Sequence, residues 1–460
     1  MHTNGDTNMN KDMKRLVLFV CAMLMTMVSS ADNELKGITL TSEEQKLVNS
    51  NNDFAFNLFR AAQTGESLIL SPLSITYALG MLNNGAAGET LKQINTVLGF
   101  GDAGAEAINA FCRKMLTEAP GLDELTKVMI ANTIYVNGAR GYVLKEDFVG
   151  KARQYYDAEP ESRDFGDGKT RDVINQWASD HTAGMIPEIL KENEFDADAV
   201  SYLLNALYFK GTWTLKFDEK ETKEELFADR YPLPMMHQEK ELSYAESDDC
   251  QALTLPYGNE AYRMTILLPH QGKSVNDVLQ GLTAEKWQYL IWGMGEAIVD
   301  LKLPRFETTT SLRLEEIMSD LGMPNAFIHG IAEFPHFCNE EELYIDLMKQ
   351  VAKIEVNEEG TEAAAVTIIG MKATGMGGHS EPPHVKFHAN RPFIYVISEQ
   401  STGSIFFIGQ YLGNPTAAIA APRLHQHPAS GPLYNFSGQR LSTPPSRGIY
   451  INDGKKIFVR

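Results

Sequence analysis

Hydrophobic positions change their period from the front of the chain to the back. Near the N-terminal end, "DFAFNLFRAAQ" places Phe54, Leu58, Ala61 and Ala62 on one face of a helix. "LSPLSITYALGMLNNGAAGETLKQINTVLGF" reads as two helices broken at Asn84-Gly85, with Pro72 near the start of the first. Later segments alternate. In "YRMTILLP", Tyr262, Met264, Ile266 and Leu268 share a side, and in "VDLKLPRF", Val299, Leu301 and Leu303 oppose Asp300 and Lys302. "FIYVIS" and "SIFFIG", joined across Gln400 to Gly403, are apolar throughout and predict a buried hairpin. The pattern is that of a mixed α+β body. No long linker interrupts it before Pro415, so residues 32–415 read as one large domain.

One stretch fits neither period. "VNEEGTEAAAVTIIGMKATGMGGHSEPP", Val356 to Pro383, opens with acids, runs through small residues, turns β-branched and ends in glycine and proline. Alanine-rich text favours helix, Val-Thr-Ile-Ile favours strand, and the last part favours exposed loop. If Thr361 to Ile369 joined a sheet, Thr361, Ala363, Ala365 and Thr367 would share one face, all small enough for a crowded core. Glu362, Ala364 and Val366 would share the other, so the one charge avoids the core. Gly360 would supply a pivot without a Cβ. The pattern alone fits a solvated helix start equally well.

Composition narrows the function classes. The chain has 460 residues, 43% of them hydrophobic, enough for a large core. A net charge of -19 argues against nucleic acid and against polyanions such as heparin as partners. "MKRLVLFVCAMLMTMVSSA" has Lys14 and Arg15, an apolar run from Leu16 to Val28, then small residues, and reads as a cleaved export signal. Residues 1–31 are thus an N-terminal extension and signal peptide, and the product is expected outside the cell or at its surface. The apolar run is too short for a stable membrane span. Removal of the signal leaves Cys112, Cys250 and Cys338, an odd number, so no disulfide scaffold is expected.

Beyond Pro415 the text changes. Residues 416–433 read as an Ala/Pro linker, and 434–460 as short strands with turns at Ser437-Gly438 and Asp453-Gly454. This tail resembles the C-terminal sorting tails of proteins exported by the bacterial type IX secretion system.

Catalytic chemistry is not visible. The chain has no GxSxG elbow, HExxH, P-loop or CxxC. His379, His384 and His388 are spaced for one side of a helix, but Pro382 and Pro383 prevent a helix there, so no metal and no cofactor are expected.

The misfit stretch gains meaning from a resemblance. "EVNEEGTEAAA" resembles the hinge of the serpin family. "SPLSITYALGMLNNGAAGETLKQI", "ANTIYVN", "LLNALYFKGTW", "LPRFETTTSLRLEEIMSDLGM" and "FHANRPFIYVIS" are each similar to a block of that family, in the family's order, from about Asp53 to Pro415. The resemblance implies the serpin fold: helices around a large mixed central sheet and further sheets, with an exposed reactive-centre loop. It implies a suicide inhibitor of serine, and also cysteine, endopeptidases rather than an enzyme, expected to be a monomer.

In that mechanism a protease attacks a loop held outside the sheet and forms its acyl-enzyme. The freed hinge side then inserts as a new strand. About fifteen residues at roughly 3.3 Å each carry the tethered protease some 50 Å, and deacylation stalls as the nucleophile leaves its oxyanion hole.

The resemblance also assigns residues. The hinge is Glu358, Glu359, Gly360, Thr361, Glu362, Ala363, Ala364 and Ala365. The shutter, a polar cluster where strands part, is Ser71, Ser74 and Asn205, with Gln350 where the family commonly has histidine. The bland reading of the shutter residues is a helix cap and a buried amide. The breach, where the loop first enters, is Trp213 and Glu358 with Arg305 as basic partner. Counting from Gly360 puts the scissile bond at Thr374-Gly375, and counting back from "PPHVKF" puts it at His379-Ser380; Lys372 and Met376 are further alternatives. A non-inhibitory serpin acting as chaperone or binding protein is the competing reading. Its members tend to carry bulky or charged hinge residues, unlike Thr361 to Ala365.

Overall fold

The Thr41 hydroxyl accepts the Glu44 N–H at 3.2 Å, and the Glu44 carboxylate accepts the Thr41 N–H at 2.7 Å. This capping box starts helix α1, Ser42–Ala61. Phe54 and Leu58 are buried as the periodicity predicts, but so are Phe56 and Phe59, while Ala61 is exposed. The helix is covered on more than the predicted side because it packs against several elements at once. Helix α2, Pro72–Asn83, starts at Ser71, whose hydroxyl accepts the Ser74 N–H, and is buried along its whole length. It ends just before Gly85, where the sequence predicts a break. These coordinates come from a computed structural model that describes residues 36–101, 103–339, 342–361 and 381–413 and the backbone of four short strands between 433 and 459. The signal at residues 1–31 lies outside the described residues, as do 416–432 of the linker and both turns predicted in the tail.

Six strands form the central sheet: β1 (Thr126–Asn137), β2 (Glu161–Arg163), β3 (Ser201–Thr212), β4 (Phe306–Arg313), β5 (Leu347–Asn357) and β6 (Gly360–Thr361). Their order is β4-β5-β6-β3-β1-β2, and β5 also pairs directly with β3. That pairing is parallel, from Leu347 opposite Tyr202 to Lys353 opposite Tyr208.

A nine-stranded sheet packs behind the central one. In its Gly295–Pro304 strand, Val299, Leu301 and Leu303 are buried while Asp300 and Lys302 are half-buried, as period two predicts. In Tyr262–Pro269 the opposite set is buried too, Thr265 and Leu267 included. The strand lies between two others, on Cys250–Tyr257 and Phe393–Glu399, and from Met264 to Pro269 it is buried on both faces. Phe393–Glu399 and Ile405–Tyr411 form the expected antiparallel hairpin, buried at every residue.

The main core lies between the sheets. A second, smaller core lies on the outer face of the central sheet. There helix α3 (Lys169–His181) and the segment leading to β3 place Ile174, Trp177, Ile189 and Leu190 over Leu204, Ala206, Leu347 and Val351. This cover therefore rests on β3 and β5 together. Cys112, Cys250 and Cys338 are all buried. Residues 420–460 form a separate unit, a four-stranded antiparallel sheet in the order Arg440–Leu441, Leu433–Asn435, Gly448–Asn452, Lys455–Val459. Among the described residues, no helix is long and apolar enough to cross a membrane.

Candidate functional site: a forked seam in the central sheet

The parallel pair β3–β5 parts at its upper end, and β6 occupies the fork. Gly360 and Thr361 pair antiparallel with Asn357 and Val356 on one side and with Thr212 and Gly211 on the other. Thr361 is fully buried, and its hydroxyl lies 2.7 Å from the Tyr257 hydroxyl. Burial pushes the Tyr257 phenol far up, so it stays protonated and can share this hydrogen bond. The Tyr257 ring stacks on Trp213 at 4.4 Å, and the Trp213 indole N–H donates to the Asn357 carbonyl at 2.9 Å. The sequence places the whole loop outside the sheet until cleavage; its first residue is instead already seated. A small β-branched side chain with one hydroxyl fits there because a single buried partner satisfies it.

Gly360 is needed twice over. Its φ is 148°, a region that L side chains rarely adopt. A Cβ there would stand 2.0 Å from the Gly211 carbonyl oxygen and 2.8 Å from Thr212 Cα, both backbone atoms that cannot yield cheaply.

The turn Glu358–Glu359 at the top of the fork is held by ions. Glu358 is buried, and Arg305 reaches its two oxygens, with Nη2 and Nε each at 2.6 Å from one of them. The Thr222 hydroxyl also donates to it. Burial alone would raise the Glu358 carboxyl, but these donors outweigh it and hold the group below its ordinary value. Lys216 pairs with Glu359. Backbone N–H groups of Trp213 and Phe217 donate to the Glu359 and Glu358 carbonyls at 2.9 and 3.1 Å. Trp213, Arg305, Glu358 and Glu359 thus meet at one end of the seam.

Lower down, where β3 and β5 touch, the ties are neutral amides. Gln350 stands directly opposite Asn205. Its Nε2 donates to Asn205 Oδ1 at 2.6 Å and to the Ser71 carbonyl at 3.0 Å, while its Oε1 accepts the Ser71 N–H at 3.0 Å. Asn205 Nδ2 donates to the Ser74 hydroxyl and to Asn132 Oδ1. All five residues are buried. Ser71 is the cap of α2 as well as a member of this cluster, so its ordinary reading and its cluster reading hold together. A glutamine can span backbone and side chain in this way without titrating.

Sequence reasoning missed Asn132, Thr222 and Tyr257. Asn132 had a signal: it is an amide within the run "ANTIYVN" and sits opposite Asn205 once β1 and β3 are paired. Thr222 and Tyr257 had none, because only the tertiary fold brings them to the hinge. Glu362, Ala363, Ala364 and Ala365 lie outside the described residues, as do Lys372, Thr374, Gly375, Met376, His379 and Ser380. His384 and His388 lie on the strand that follows, on Glu239 at 3.6 Å and Asp300 at 3.1 Å respectively.

Comparison with known proteins identifies the family and the fold. The family profile "Serpin (serine protease inhibitor)" matches residues 49–414. A serpin-like protein of Thermococcus kodakarensis is 32% identical over 81% of this chain and 87% of its own length. Human plasminogen activator inhibitor 2 is 31% identical over 79% of this chain and 98% of its own. The crystal structure of tengpin, a thermophilic serpin in its native state, superposes with a TM-score of 0.72 at 30% identity, covering 82% of this chain and 96% of that one. With a profile spanning most of its length and relatives above 30% identity, this chain belongs to the serpin family, described as serine protease inhibitors.

Proposed function

We propose that this serpin inhibits serine endopeptidases, and cysteine endopeptidases as well, by inserting its cleaved loop between β3 and β5. The observation that carries the reading is the fork: a strand pair already parted at one end, with the hinge's first small side chain accepted between them. Continued in the same register, the segment sets Ala363, Ala365, Thr367 and Ile369 on the core face. Thr367 comes between Asn205 and Gln350, where its hydroxyl replaces the amide contact that insertion breaks. The lane ends where β3 and β5 begin, so Gly370 is the last residue with partners on both sides. Cleavage at Thr374-Gly375 leaves enough chain to fill it; Lys372, Met376 and His379-Ser380 offer alternative bonds.

The protease contributes the nucleophile, and this chain contributes bait, hinge and lane. The printed name of the plasminogen activator inhibitor relative is in keeping with this role. Export through the segment at residues 1–31 and sorting through the tail belong to the same reading, since a protease trap of this kind acts where proteases are secreted. The experiment is incubation of the full secreted chain with a panel of serine and cysteine proteases. SDS-stable adducts at the expense of free protease are the expected result. Clean loop cleavage without adduct by every protease would overturn the reading in favour of a carrier or chaperone.

A further inference from the structure

One ion pair, between a buried lysine and a half-buried glutamate, crosses the seam and takes no part in the hinge or the amide cluster. Lys349 lies on the outer face of β5 with its side chain 2% exposed. Its ammonium sits 2.6 Å from Glu194 Oε2. Glu194 closes the short turn Glu192–Glu194, where the same oxygen accepts the Lys191 N–H at 2.9 Å. That turn belongs to the cover, whose chain runs directly into β3. The pair therefore joins the β3 side of the seam to the β5 side.

We propose that the Glu194–Lys349 pair is a latch that sets how fast the seam parts, and that its two members are positioning residues for insertion. The proposal rests on the insertion reading above. Admitting a strand moves β5 away from β3 by about 4.8 Å, which breaks a contact of this length unless the cover detaches. The amide tie at Gln350 can be remade, because the register brings the Thr367 hydroxyl beside it. The ion pair cannot, because the register brings Ile368 between Leu204 and Lys349. An apolar neighbour leaves the ammonium buried and unpaired, which is the costly outcome for an ion pair. Burial drives the Lys349 ammonium below its ordinary pKa, and the Glu194 carboxyl is lowered by its bond to Lys349 against the opposing effect of burial. Both directions match a tight, partly desolvated pair. The other charged pairs among the described residues of β5 and its β4 neighbours, Arg313–Glu315 and Lys353–Glu307, lie on the far side of β5 from β3 and do not cross the seam.

The test adds a synthetic peptide of sequence TEAAAVTIIG, residues 361–370, to the full chain and follows annealing by native gel. Lys349→Met keeps the stem and removes the charge; it should anneal on the order of tenfold faster than wild type, equivalent to about 1.4 kcal/mol of barrier. Lys349→Arg keeps the charge and should stay near the wild-type rate. Glu194→Gln should also be faster, and the double variant no faster than the faster single, because two halves of one latch do not add. Wild-type rates in Lys349→Met, or effects of the two singles that add, would overturn the latch while leaving insertion intact. A peptide that never anneals to wild type would overturn the insertion reading and the latch with it.

Discussion

Two pairs of neighbouring strands in this molecule have opposite designs. The hairpin Phe393–Glu399 and Ile405–Tyr411 is antiparallel, closed by a short turn, and apolar on both faces except for a few residues such as Gln410. Its turn is stitched by Glu399, which accepts the N–H groups of Ser401 and Thr402 at 2.7 and 2.8 Å. The seam joins parallel strands whose facing residues Asn205 and Gln350 lie 145 positions apart in the chain. It buries Asn205, Lys349 and Gln350 where the hairpin buries Ile, Val and Phe. A buried apolar pair has nothing to gain by parting. A buried polar pair can exchange one set of partners for another, at little net change, if the newcomer brings matching groups. The hairpin is built to stay shut, whereas the proposed insertion requires the seam to open.

Nicking the loop between Lys372 and Ser380 should widen the contrast most. Ten inserted residues, at roughly 0.5–1.5 kcal/mol net for each new backbone bond, add enough to raise Tm on the order of 10 °C or more in a chain of this size. Calorimetry before and after the nick reads this directly. Hydrogen exchange should show new protection along β3 and β5 and none in the hairpin. An unchanged or lower Tm would make the seam an ordinary strand pair.

Thr361→Arg should have the next largest effect. The partner at this seat is the neutral Tyr257 hydroxyl, and burying a guanidinium there without a charge partner costs several kcal/mol. Because Thr361 is already seated, the substitution should expel Gly360–Thr361 from the fork in the resting protein as well as block insertion. Gels with a target protease should lose the adduct band and gain cleaved chain, with the initial association rate unchanged. Ala364→Arg, on the opposite face by period two, should be milder. Stoichiometric adduct from Thr361→Arg would remove the hinge from this stretch.

The smallest effect concerns pH at the fork. Glu358 has a folded-state pKa below its ordinary value of 4.5, so its contribution is present above that value and is lost as pH falls through the folded pKa. Protection of the Trp213 and Phe217 N–H groups should fall on acidification below about 4.5, and Glu358→Gln should flatten that dependence. With glutamine at 350 in place of a histidine, the amide cluster should add no transition near neutral pH. A step between pH 6 and 7 at β3 and β5 would break this part of the comparison.

Much of the site could be read in advance from short blocks of sequence. Gly360, Thr361 and the acids before them were assigned by the resemblance, because period two alone fits a helix start equally well. Arg305 and Trp213 came from the resemblance to known blocks, and the structure brings both to Glu358 and Asn357. Tyr257 and Thr222 were not legible, because nothing in "LTLPYG" or "EKETKE" distinguishes a hinge partner from an ordinary sheet or turn residue.

The sequence by itself determined the elements: the helix through Phe54 and Leu58, the break at Asn84-Gly85 after α2, the alternation of Val299 to Leu303, and the buried hairpin. These follow from propensity and period, which act over a few residues. Only the tertiary structure decided that Thr361 rests inside the fork, that Gln350 clasps the cap of α2, and that Lys349 meets Glu194 across the seam. Each of these depends on groups between about 100 and 280 positions apart in the chain, and which of them meet is set by the pairing of β3 with β5, which no local pattern encodes.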